Sequence, residues 1–202
     1  MNGPNKIASV VAKRESTGLA LNPSTYVILL RAIGPVTHKL MSMAQWREAS
    51  EAAGFVAPET LVNTGNMIAG FEGTEAAVVT TTVGVLRSFG LGGNVVPVVR
   101  KPALLQKLMQ ADPISEAAAE RPNQTGVYFF ASKKPDFDWL KSHDGPETVH
   151  VVHDHLVVDF TRDVAQSGKL IRLIDKKCGT NTSRNWNSVR RIAERCAARE
   201  NA

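Results

Sequence analysis

Cysteine is scarce in this 202-residue chain: Cys178 and Cys196 are the two it has. Two thiols late in the sequence make no disulfide framework and fall short of the about four ligands of a structural zinc site. They read as reduced, partly buried residues of a soluble protein in a reducing cytoplasm. Long apolar runs are missing too; nothing reaches the roughly 18 consecutive apolar residues of a membrane span. Residues 1–24 carry Lys6, Lys13 and Arg14 but no apolar stretch before a small-residue cleavage site, so they do not read as a secretory signal. Rich in Asn, Gly, Pro and Ser, they read as a disordered leader. No glycine triad opens a helix, no phosphate loop ends in Gly-Lys-Ser/Thr, and no Gly-x-Ser-x-Gly elbow occurs. Gly90-Leu91-Gly92-Gly93 leads into a strand without the lysine and reads as a helix stop. No cofactor is expected, and no catalytic residue can be assigned.

What is present is an uneven charge. The net charge is +5, but residues 162–202 hold ten Lys/Arg against four Asp/Glu, while residues 25–161 hold eleven against fourteen. A basic C-terminal fifth can attract phosphates. Its last helix repeats Arg191, Arg195 and Arg199 every four residues, a basic stripe beside an apolar face of Val189, Ile192 and Cys196.

The order of elements repeats. Thr25 to Ile33 reads as a central strand buried on both faces, ended by the loop signal Gly34-Pro35. A helix capped by Ser42 and Gln45 follows, with Met43, Trp46, Ser50 and Ala53 on one face. The turn Asn63-Thr64-Gly65-Asn66 predicts a hairpin, with positive φ taken by the Gly and Asn. A helix capped by Thr74 with a stripe of Val79, Val83 and Leu86, a strand to Arg100 with Pro97 at an edge or bulge, and a helix from Pro102 complete the first half. Residues 113–123, with Pro113, Pro122 and three alanines, read as a linker. The second half predicts a strand at Val127 to Ala131, a short helix at Asp136 to Ser142, and a hairpin of Thr148 to Val152 with Leu156 to Phe160. A helix at Val164 to Lys177, an extended Thr180 to Arg184 and a helix at Ser188 to Arg199 follow. The fold class is therefore α+β, two ferredoxin-like (βαββαβ) subdomains in tandem at 25–112 and 124–202, each followed by an extra helix.

Two groups of residues carry chemistry. His150, His153 and His155 resemble metal ligands but lack an acidic or thiol partner; they read as an exposed polar turn at His153-Asp154, and no metal is expected. The other is Arg184-Asn185-Trp186-Asn187. A rigid guanidinium fork, two amides and a flat indole can hold a phosphate, a carboxylate or a base. Structurally, Asn187 or Ser188 would cap the last helix and Trp186 would fill the core between that helix and its sheet. Arg184 would then point to Arg31 and the Thr64-Gly65-Asn66 turn. The ligand-binding candidates are thus Arg31, Asn66, Arg184, Asn185, Trp186 and Asn187. The expected partner is an anionic ligand, nucleic acid first, with no membrane. The competing reading is an enzyme acting on a phosphorylated or carboxylated metabolite between the halves, with His38 as acid or base.

Three stretches together resemble a bacterial family known as domain of unknown function 1697: Leu29-Leu30-Arg31-Ala32-Ile33 with the downstream Ala53-Gly54-Phe55, the hairpin Thr60 to Asn66, and Arg184-Asn185-Trp186-Asn187-Ser188-Val189. The resemblance runs from Tyr26 to the end. It implies an α+β fold of two related subdomains and no established activity, substrate or cofactor. The chain departs from the family in the first loop, where Ala32 and Gly34-Pro35-Val36-Thr37 replace a glycine-richer segment, making the loop bulkier and stiffer.

Overall fold

The computed structural model describes residues 23–200. The order is β1 (Ser24–Leu30), α1 (Pro35–Leu40), α2 (Met43–Ala52), β2 (Val56–Leu61), β3 (Asn66–Phe71), α3 (Glu75–Ser88), β4 (Pro97–Arg100), α4 (Pro102–Ala111) and α5 (Ser115–Glu120). Then come β5 (Thr125–Phe130), β6 (Thr148–Val152), β7 (His155–Asp159), α6 (Gly168–Cys178), β8 (Asn181–Arg184) and α7 (Trp186–Glu200). Two four-stranded antiparallel sheets result, ordered β2-β3-β1-β4 and β6-β7-β5-β8. In each half the first strand lies between the third and fourth, the split βαβ arrangement. The leader expected at 1–24 lies almost wholly outside the described residues.

Burial follows the alternation of side chains along the central strands. From β1, Val27 and Leu29 enter a core shared with Val127 and Phe129 of β5 and with α4 and α7; Tyr26, Ile28 and Leu30 enter a second core beneath α2 and α3. From β5, Tyr128 and Phe130 enter a third core beneath α6. The shared core joins the halves.

Several local expectations change. Gly34-Pro35 is not only a loop signal: Pro35 opens the six-residue α1, where the missing N–H costs nothing. Helix α3 buries Val78, Thr82, Val85 and Leu86 rather than the Val79 and Val83 stripe, because adjacent valines and threonines fit two faces of a 3.6-residue repeat equally. The linker carries α5, whose Ala117 and Ala118 join the shared core; small side chains let the helix sit close. In the hairpin, Gly65 takes φ 73° as expected, but the second positive φ falls on Val62 at 57°. Gly65 is further held by space: a Cβ there would lie 2.6 Å from Ile33 Cγ1 and 2.9 Å from Leu30 Cβ. The hairpin tip thus rests on the end of β1, where Leu30 N–H donates to Gly65 O at 2.7 Å.

Candidate functional site

The halves meet along a seam with internal two-fold logic. Arg100 pairs with Val27 at the end of β4, and Arg184 with Val127 at the end of β8; the two arginines occupy equivalent places. Each reaches into the other half. Arg184 Nη2 donates to Leu30 O at the end of β1 (2.8 Å), and its Nε to Oδ1 of Asn66, the first residue of β3 (2.5 Å). Arg100 Nη2 donates to Phe130 O at the end of β5 (2.6 Å), and its Nε to Nε2 of His155, the first residue of β7 (3.0 Å). Asn66 pairs with Leu29 and His155 with Phe129, so they too are counterparts.

This corrects the reading of His155 as part of an exposed turn. His153 is exposed at φ 56°, but His155 is fully buried in the seam. Burial, then the Arg100 charge, pull its imidazole down to about 4. Among the described residues no three His, Cys, Asp or Glu side chains converge on a metal position.

The Arg184 end of the seam opens into a cleft of about 490 Å³, the Arg100 end being packed shut around His155. The first loop (Arg31, Ala32, Ile33) and Thr64 of the hairpin form one side; Tyr128, α6 and the β8–α7 junction form the other. Ala32 stands at φ 61°, the left-handed conformation that a glycine would adopt without strain.

The sequence candidates separate. Arg31, Arg184 and Asn185 line the cleft; Asn66, Trp186 and Asn187 do not. Arg184 is not a free fork. Its remaining donors go to Thr182 Oγ1 (2.6 Å), Ser183 O (2.7 Å) and Thr64 O (2.9 Å), so protein oxygens take all five N–H groups. No carboxylate pairs with it among the described residues, and burial pulls the guanidinium down to about 10. It acts as a positive anchor of the cleft wall. Arg31 differs: the residue is half-buried and its guanidinium makes no hydrogen bond or ion pair with any described residue. Asn66 is buried, with Nδ2 bound to Leu61 O and Thr64 Oγ1, both at 3.0 Å. Trp186 sits in the shared core as expected, at 4% exposure, though inside the first turn of α7. The helix cap is Asn185, whose Oδ1 accepts from Ser188 N at 2.8 Å, not Asn187 or Ser188; Asn187 instead accepts from Arg190.

Two further expectations give way. His38 Nε2 donates to Asn63 O at 2.9 Å on the outer side of the hairpin, and His38 is not among the cleft residues. Most of the basic stripe of α7 is tied down. Arg195 Nε holds both oxygens of Glu59 at 2.7 and 2.8 Å, and Arg199 donates to the carbonyls of Val56, Ala57 and Ile68. The central strands are buried on both faces, so neither sheet offers an open face for stacking bases. Residues that sequence reasoning missed are Tyr128 and Asp175 of the cleft wall; each looks like ordinary strand or helix composition until the halves are docked.

Among the described residues no helix is long and apolar enough to cross a membrane. No curated protein matches the sequence. A solved structure described as a conserved bacterial protein from Streptococcus pneumoniae is similar at TM-score 0.66 and 14% identity, covering 87% of this chain and 99% of that one. At that identity the likeness is one of fold. A family described as protein of unknown function (DUF1697) matches residues 24–156, which include the first loop and the hairpin but stop before the Arg184 segment. That match takes in well over half of the sequence, and the chain belongs to the DUF1697 family.

Proposed function

We propose that this protein binds a small anionic ligand, bearing a phosphate or a carboxylate, in the cleft between its halves. The observation that carries the reading is Arg31: a half-buried residue in a concave site, its guanidinium unpartnered among the described residues, beside a second arginine whose charge no carboxylate balances. Such a pair favours an anion, and a guanidinium holds carboxylate or phosphate by charge-assisted hydrogen bonds. A small ligand is favoured over nucleic acid because Arg195 and Arg199 are engaged within the fold and the sheet faces are covered. No acid or base of the cleft is assigned a chemical step, and cytoplasmic residence remains part of the proposal.

Calorimetry at low salt with inorganic phosphate, ribose 5-phosphate and succinate tests it. At least one should bind, and Arg31→Ala should weaken that binding roughly 10- to 100-fold, the weight of a hydrogen bond to a charged group. Equal binding by Arg31→Ala, or no binding by any of the three, would overturn it. Tight binding of single-stranded RNA alone would restore the nucleic-acid reading.

A further inference from the structure

Three features of the cleft go unused by a bare anion. Tyr128 lines it at 4% exposure, yet its hydroxyl makes no hydrogen bond with any described residue. The ring is buried while the hydroxyl is left open to the cleft, where a ligand acceptor can take its hydrogen bond. Asp175 lines the same cleft from α6. Its Oδ1 accepts from Asn181 Nδ2 at 2.7 Å, while Oδ2 has no partner among the described residues. An ionised carboxylate only accepts, so its ligand must bring an N–H or O–H. Among polar neighbours such as Thr64, Asn185 and Ser188, each half also offers the cleft an apolar side chain, Ile33 from the first and Ile171 from the second. At about 490 Å³ the space is of the size that holds a drug-sized ligand, far more than a phosphate ion fills.

Resting on the reading of the cleft as an anion site, we infer that its ligand is a nucleoside monophosphate. The phosphate lies at Arg31, the base lies between Ile33 and Ile171, and base N–H groups meet Asp175 while Tyr128 O–H donates to a base acceptor. A nucleobase combines a flat apolar face with edge donors and acceptors, the set these side chains lack. A short carboxylic acid or a sugar phosphate satisfies Arg31 and leaves Ile33 and Ile171 wet. Burial and the nearby Asp175 charge raise the Tyr128 phenol, which keeps it a donor across the physiological range.

The test is calorimetry of the full chain with GMP, AMP and UMP against ribose 5-phosphate. The mononucleotide whose edge suits Asp175 should bind at least about ten-fold tighter than ribose 5-phosphate. Asp175→Asn and Tyr128→Phe should each remove most of that advantage over ribose 5-phosphate, with a cooperative urea transition reporting that the variants are folded. If the nucleotides and ribose 5-phosphate bind alike, with the Arg31 dependence intact, the nucleotide inference falls and the anion reading stands. A nucleotide advantage that survives both substitutions also overturns it. If neither a phosphate compound nor succinate binds, the anion reading itself has failed.

Discussion

Arg184 shows how one side chain can look like a ligand hook in sequence and be a structural strut in the fold. Its five donors go to Asn66, Thr182, Ser183, Leu30 and Thr64, all of them neutral acceptors along the seam. Arg184→Ala should therefore cost about 3 kcal/mol, since stranded acceptors lose about 1–3 kcal/mol each and partly relax to water. Urea unfolding reads this directly. Arg184→Lys should recover less than half, because three donors on one atom cannot replace a planar fork. Ala32 offers the opposite sign. At φ 61° it holds a left-handed conformation that costs a non-glycine residue about 1–2 kcal/mol. Ala32→Gly should raise stability by up to about 1 kcal/mol after glycine's entropy is set against that relief. A fall in the urea midpoint would mean that the methyl group packs better than its exposure implies.

Among the elements, α7 does most to join the halves. It begins at Asn185, buries Trp186, Val189, Ile192 and Cys196 in the shared core, and ends with Arg195 and Arg199 on β2 and the β2–β3 carbonyls. Its apolar face and its last-helix arginines were both legible in the sequence; where the arginines went was not, because an i, i+4 spacing says which residues share a face and nothing of what lies opposite. Trp186→Ala should cost about 3–5 kcal/mol, the usual range for deleting a buried aromatic. Ribose 5-phosphate binding should be retained below the onset of the unfolding transition, since Trp186 is absent from the cleft lining. Lost binding without lost stability would make the indole a ligand platform instead. The hairpin was read correctly as a turn, yet the constraint on Gly65 comes from Ile33 and Leu30 as much as from its own φ.

For the whole molecule, the seam couples stability to pH through His155. Arg100 Nε–H donates to His155 Nε2, so the proton of the neutral ring is on Nδ1, which lies 2.8 Å from Asp154 Oδ1 at an angle too poor for a hydrogen bond. Arg100 comes from β4, Asp154 and the exposed His153 from the β6–β7 turn, and Phe129 meets the ring edge-on with centroids 5.0 Å apart. Only the neutral ring can accept from Arg100. The folded value is depressed to about 4 from the usual 6.5, so the unfolded chain takes up the proton first as pH falls. Stability is full above pH 6.5 and declines toward pH 4, by roughly 3 kcal/mol from this group if fully expressed. Urea unfolding at pH 7.5, 5.5 and 4.5 should show the decline, and His155→Gln should reduce its slope. An identical slope in the variant would place the acid sensitivity elsewhere, with Glu147 the next group to test: burial raises it, but hydrogen bonding, including that from Arg162 Nη2 at 3.1 Å, together with the Arg162 charge holds it low.

Read alone, the amino-acid order determined the class of fold: two continuous apolar strands, each followed by a hairpin and helices, imply two sheets with covered faces whatever their relative placement. It also marked Arg31 and Arg184 as the arginines at strand ends and Trp186 as a core residue. Tertiary structure decided the rest. Asn66 and His155 share no chemistry in sequence, nor do Arg100 and Arg184 share flanking residues, yet docking sets them in equivalent positions, each arginine crossing into the other half. Hydrogen bonds between groups 55 and 118 residues apart leave no periodic trace, because each depends on the packing of both sheets and not on the neighbours of either partner. Whether an arginine is a strut or a free cation is settled only by which oxygens that packing brings within reach.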